Sequence, residues 1–205
     1  LGNFVELGQA NLLSFFEWHP WLYLFLIPSI TMRLWAEERK SGTIEYIITL
    51  PISVSEIVVG KFFAAWLFTI IALSLTFPLW ITVNYLGDPD NGVIIASYIG
   101  SILMAGGYLA IGSCISSLTS NQVIAFVVSA TISFLFTVSG LPMVLDFFSA
   151  WSGQTITDVV SSFSFLTNYL DITRGLIDIR SLLYFLTLIF FFLYINILIV
   201  SNLRD

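Results

Sequence analysis

One cysteine and one histidine occur in 205 residues. A single thiol forms no internal disulfide and no thiolate cluster, and a single imidazole makes a histidine-based metal site untenable. Charge is equally scarce. Asp, Glu, Lys and Arg make up 10% of the chain, against about 25% in a typical soluble domain. Only seven residues are basic and thirteen are acidic, for a formal net charge of -6. That balance opposes a polyphosphate partner, so no nucleic acid is expected among the partners. The Gly-x-x-x-x-Gly-Lys-Ser/Thr phosphate loop is missing, because Gly60-Lys61 is followed by Phe62 and has no Gly at the required upstream position. His-Glu-x-x-His and Gly-x-Ser-x-Gly are missing too. Apart from His19 and Arg33 near the two ends of the first apolar run, no acid or base lies in the apolar runs to mark a proton relay. The expectation is therefore a chain without catalytic residues, cofactor or metal of its own.

What the chain does have is hydrocarbon. Hydrophobic residues reach 58%, with nineteen Phe, eight Tyr and six Trp, and mean hydropathy is +0.95. A soluble fold of this size leaves too much surface exposed to hide so many apolar side chains, whereas a bilayer accepts them and places aromatics at its boundaries. A spanning helix needs about 20 mostly apolar residues. Five stretches qualify, at 18–35, 62–86, 93–118, 123–141 and 182–203. The continuous apolar character of 182–200 is unlike the alternation of a membrane barrel strand. The predicted fold is all-α, a polytopic integral membrane bundle forming one domain over 1–205. Arg33, Arg39, Lys40 and Lys61 gather between the first two stretches and Arg204 follows the last, while the opposite side carries Arg174 and Arg180. The basic side is expected to face the cytoplasm, which puts Leu1 outside and Asp205 inside the cell, in the inner membrane. Leu1 is not Met, and 1–17 lacks the basic and apolar regions of a signal segment. An upstream span is therefore expected, for six in all.

The polar segments carry the remaining information. Between the first two spans, 36–61 begins with a dense charge cluster, continues through Gly42, and has Ile44, Ile47 and Ile48 at helical spacing. Thr43–Leu50 reads as a short amphipathic interfacial helix closed by Pro51. Ser53 and Glu56 then form a capping box, with Gly60 and Lys61 at the membrane boundary. Arg33, Glu37, Glu38 and Arg39 are expected to hold this helix by pairing with one another and with a soluble partner; the plainer alternative is a solvated loop. The third span is rich in small residues, with Gly100, Gly106, Gly107 and Gly112 expected to admit close helix packing. Pro28 and Pro78 are expected to kink their helices. The segment 143–180 reads as external, with short interfacial helices at Thr155–Val160 and Asn168–Arg174. His19 is expected in an aromatic belt, and Cys114 in packing.

The run Met32-Arg33-Leu34-Trp35-Ala36-Glu37-Glu38-Arg39-Lys40-Ser41-Gly42-Thr43-Ile44-Glu45, then Leu50-Pro51 and Gly60-Lys61, resembles the permease subunit of type 2 ABC exporters. Phe77-Pro78-Leu79-Trp80, Asn84 to Gly92, Asn121 to Phe126 and Arg174 to Asp178 bring it near the gliding-motility-associated branch. The resemblance implies a six-span permease that pairs with a second permease subunit, identical or not, and with two separate ATPase subunits that bind the ATP and Mg. It makes 43–50 a coupling helix, so that Arg33, Glu37, Glu38, Arg39, Gly42, Thr43, Ile44, Glu45, Ile47 and Ile48 become the residues that couple to the ATPase. A membrane scaffold or mechanotransmission subunit that works with an ATPase but moves no substrate is the alternative from another class. A membrane enzyme is the weakest, for want of a catalytic set.

Overall fold

The structure is a computed structural model that describes residues 11–49, 51–152, 154–175 and 178–203. Among them only helices occur as regular elements: α1 (Leu13–Glu17), α2 (His19–Thr31), α3 (Ala36–Ser41), α4 (Ile44–Ile48), α5 (Val54–Ser74), α6 (Phe77–Leu86), α7 (Asn91–Leu118), α8 (Gln122–Val138), α9 (Pro142–Ser152), α10 (Gln154–Ser162), α11 (Phe165–Thr173) and α12 (Ile179–Ser201). Three helical stretches are long and apolar enough to cross a membrane: 54–86, 91–118 and 179–201. The 17 residues of α8 are apolar but shorter.

The expected spans map onto these helices with informative differences. The first is 13 residues in α2, about 20 Å long. Pro20 at its second position supplies no N–H, so the chain bends at Trp18 and α1 precedes it as a separate turn. Pro28 lies inside α2 without ending it. The second span is broken at Leu75–Thr76. Pro78 cannot donate to the carbonyl of Ser74, and the chain restarts as α6 with Pro78 in its first turn. Thr76 fills the gap, donating to Leu73 O at 2.6 Å and meeting the Tyr98 hydroxyl at 2.9 Å.

The long helices begin at polar caps, as orphan N–H groups require. Ser53 and Glu56 form the expected capping box at α5. Asp90 caps α7, Asn121 caps α8 and Asp178 caps α12.

The centre of the bundle is α7. Every residue from Met104 to Ser117 is buried, so neighbours must cover all its faces. Those neighbours are α2, α5, α8, α11 and α12. The small residues let them approach. Gly100 faces Ile172 and Tyr169, Gly106 faces Ile189 and Trp66, and Gly107 faces the ring of Phe165. At Gly112 the approach is closest, since a Cβ there would lie 2.8 Å from Cβ of Thr31. Cys114 is buried in the same helix.

Two expectations change. His19 is buried within the protein instead of presented in a lipid-facing belt; only 4% of it is exposed, because it stacks on Phe16 and meets Phe15 and Tyr23 edge-on. The segment 143–180 is more helical than expected, with α9 added ahead of α10. Its third helix, α11, packs its apolar face into the bundle. Phe165, Tyr169 and Ile172 are fully buried. Phe165 stacks on Tyr108 at 4.5 Å between ring centroids, and the Tyr169 hydroxyl donates to Phe16 O at 3.0 Å. Leu1, Leu50, Arg204 and Asp205 lie outside the described residues, as do the side chains of Ile48 and Thr155.

Candidate functional site

The segment between α2 and α5 contains most of the candidate residues, and local chemistry shapes it. After Thr31 the chain turns through Met32–Trp35 and resumes as α3. Glu37 and Glu38 occupy the first turn of α3, and Arg39 and Lys40 the last. That order complements the helix dipole. Gly42 ends α3 in the left-handed conformation at φ +72°, where a Cβ would be strained. Helix α4 then runs only five residues, so the expected Thr43–Leu50 helix is shortened at both ends, to Ile44–Ile48.

This segment is fastened to the C-terminal end of α7. The turn at 32–35 leaves backbone groups without helical partners, and Ser116 takes three of them. Its Oγ accepts from Trp35 N and Ala36 N, each at 3.1 Å, and donates to Met32 O at 3.2 Å. The Trp35 indole N–H donates to Ser113 Oγ at 3.2 Å. Asn196 of α12 donates to the same oxygen at 2.8 Å. Trp35, Ala36, Ser113, Ser116 and Asn196 are all fully buried. Three helices and the turn thus share one polar cluster inside an otherwise apolar end of the bundle, where unpaired groups would be costly.

A second fastening is ionic. Lys61 of α5 pairs with Glu38 and also donates to Leu34 O at 2.7 Å. Its ammonium sits 4.2 Å from the centre of the Trp35 ring, within cation–π range. Arg39 reaches the carbonyl of Ser117, one of the orphan carbonyls at the end of α7. The expected pairing of Arg33, Glu37, Glu38 and Arg39 with one another is not what holds the segment: Glu38 turns to Lys61 and Arg39 to a carbonyl. The charged groups of Arg33 and Glu37 take no ion pair among the described residues, and both side chains are exposed.

The isoleucines divide. Ile44 is buried in the core cluster and Ile47 is half-buried. Glu45 is exposed on the outer side of α4, and so is Tyr46, at 75%. Thr43 is exposed and its hydroxyl meets that of Ser41 at 2.8 Å, bracing the Gly42 turn. Sequence reasoning missed Ser113, Ser116, Asn196 and Tyr46. A serine or asparagine on an apolar helix was the available signal for the first three.

Among the described residues, no three His, Cys, Asp or Glu side chains come close enough to hold a metal ion. What the arrangement offers is a short element exposed on one side and fastened through residues 34–39 to α5 and α7, with α12 joined through Ser113. The family model described as "ABC-2 family transporter protein" matches residues 22–203, and the chain belongs to that family. It is a multi-pass membrane permease subunit of an ABC transporter, and membership implies association with an ABC ATPase. No curated protein and no solved structure matches the chain.

Proposed function

We propose that this permease couples ATP hydrolysis in separate ATPase subunits to export across the bacterial inner membrane, and that 36–61 is the coupling segment. The carrying observation is the fastening of the 32–35 turn and α3 to the end of α7, with α4 joined to them through the Gly42 turn and Glu45 and Tyr46 exposed. An ATPase with a groove would receive α4, since a five-residue helix is not stable alone in water and needs protein on its open side. Displacement of α4 then passes to α2 and α5 covalently, to α7 through Ser116 and Arg39, and to α12 through Asn196. Arg33, Glu37, Glu38, Arg39, Gly42, Thr43, Ile44, Glu45, Ile47 and Ile48 act here as positioning or docking residues, not as substrate ligands. In the oriented membrane this end faces the cytoplasm, and the loop at Asp88–Gly92 faces outward. The partner set is two ATPase subunits and a second permease subunit. The motifs of 32–45 and 77–92 support placement in the gliding-motility-associated branch.

The test is ATPase stimulation in the purified permease–ATPase complex. Ile47→Asp places a charge on the half-buried face of α4, and should abolish permease-dependent stimulation while the protein still inserts. Unchanged stimulation together with unchanged complex formation would mean that the segment is a solvated loop. Stimulated hydrolysis without any substrate flux in vesicles would instead favour a mechanotransmission subunit.

A further inference from the structure

A cavity of about 740 Å³ opens between α8, the α10–α11 connection and α12, at the end of the bundle away from the clamp. Its lining is graded. Asp171, Asp178, Arg180 and Ser181 gather where α12 begins, and Phe136, Leu188, Phe191 and Phe192 line it further along that helix. Phe136 meets Phe192 edge-on at 6.5 Å between centroids. Tyr184 closes the wall between the two regions by donating to Phe163 O at 2.5 Å. From Arg180 to Phe192 the helix rises about 18 Å, close to one leaflet of a hydrocarbon core about 30 Å thick.

The charges at the polar end are of both signs and are not spent on each other. The ion pairs among the described residues join Lys61 to Glu38 and Arg174 to Asp171, which leaves Arg180 without one. Asp178 accepts the backbone N–H of Arg180 at 3.1 Å through one carboxylate oxygen. Asp171 meets Arg174 only at 3.8 Å in an exposed pair, worth little. One free guanidinium beside two carboxylates complements a headgroup that carries a phosphate and an ammonium together. An anionic headgroup would satisfy Arg180 but meet Asp171 and Asp178 with like charge.

We propose that this cavity seats one zwitterionic, amine-bearing phospholipid. Arg180 binds the phosphate, Asp178 and Asp171 take the ammonium, and an acyl chain lies against Leu188, Phe191, Phe192 and Phe136. The seat is separate from the coupling segment and does not depend on its role.

The test uses the full chain in nanodiscs of mixed phosphatidylethanolamine and phosphatidylglycerol. Either lipid carries a photoactivatable diazirine near its chain end, and adducts are mapped by mass spectrometry. Phe190 is the internal control, being 69% exposed on the outside of the same helix turn. Phosphatidylethanolamine should label Phe192 in excess over Phe190. Thr187→Trp, which fills the cavity, should remove the Phe192 adduct and leave that on Phe190; Leu183→Trp is the second filling variant if the first does not fold. Arg180→Gln should reduce the excess about tenfold, the equivalent of one charge-assisted contact. Equal labelling of Phe190 and Phe192 would overturn the seat. Equal labelling of Phe192 by the two lipids would overturn the headgroup assignment.

Discussion

Replacing Ser116 with Ala removes one oxygen and three hydrogen bonds. Two backbone donors, Trp35 N and Ala36 N, lose their acceptor, and Met32 O loses its donor. Trp35 and Ala36 are fully buried, so water does not replace the hydroxyl without opening the site. A buried group left unsatisfied costs about 1–3 kcal/mol. Relaxation of the turn recovers part of that, so the expected loss for the three is about 2–5 kcal/mol. It falls on the docking of 33–49 to α7, because the hydrogen bonds within the spanning helices are untouched. Hydrogen–deuterium exchange in nanodiscs should show faster exchange over 35–49 and nearly unchanged exchange over 104–112. Trypsin should cut more readily after Arg39 and Lys40. Ser97→Ala is the matched control: it deletes the same atom from the same helix, but that hydroxyl donates only to Val93 O within α7. Equal protection in Ser116→Ala and wild type, or the same effect from Ser97→Ala, would refute the assignment of Ser116 as the fastening.

Other substitutions separate the remaining parts. Lys61→Met strips Glu38 of its partner and Leu34 O of its donor. It should cost about 1–3 kcal/mol in thermal unfolding and lower ATPase stimulation, and Lys61→Arg should restore part of both. Gly112→Val puts side-chain atoms where Thr31 already stands. Overpacking there should cost about 1–3 kcal/mol in detergent stability, whereas Gly60→Ala, inside α5 with open space beside it, should stabilise by up to about 1 kcal/mol. Asn196→Leu unlinks α12 from Ser113. It should leave complex formation with the ATPase intact but reduce stimulation of hydrolysis, which a binding assay beside an activity assay resolves.

The helical bundle was legible because bilayer-length apolar runs and scarce charge are compositional facts. Polar caps were legible too: Ser53 and Glu56 announce the start of α5 by spacing alone. The limits of the first two spans were harder to place. A proline removes one hydrogen bond, but packing decides whether the helix bends, as at Trp18, breaks, as at Leu75–Thr76, or continues, as at Pro28. The burial of α11 was hidden for a similar reason. Ser164, Asn168 and Asp171 make the segment read as polar, while Phe165, Tyr169 and Ile172 fall on one face at spacings of three and four. In the clamp, Glu38 and Arg39 could be named from the charge cluster. Their partners could not, because Lys61 is supplied by α5 and Ser117 by the far end of α7, and only the folded bundle brings them near. Ile44 and Ile47 lie on the more buried side of α4, but Tyr46 on the outer side carried no signal until the direction of burial was known.

The central claim is that the outer face of α4 touches the ATPase. Tyr46 and Tyr85 provide the comparison: both are exposed, at 75% and 90%, and they lie at opposite ends of the α5–α6 run. A photocrosslinking phenylalanine placed at each position in turn, with the ATPase co-expressed, measures the contact directly. The account predicts an ATPase adduct at position 46 and none at 85. An adduct at 85 and none at 46, or no ATPase adduct at 46 in a complex that otherwise assembles, would contradict it.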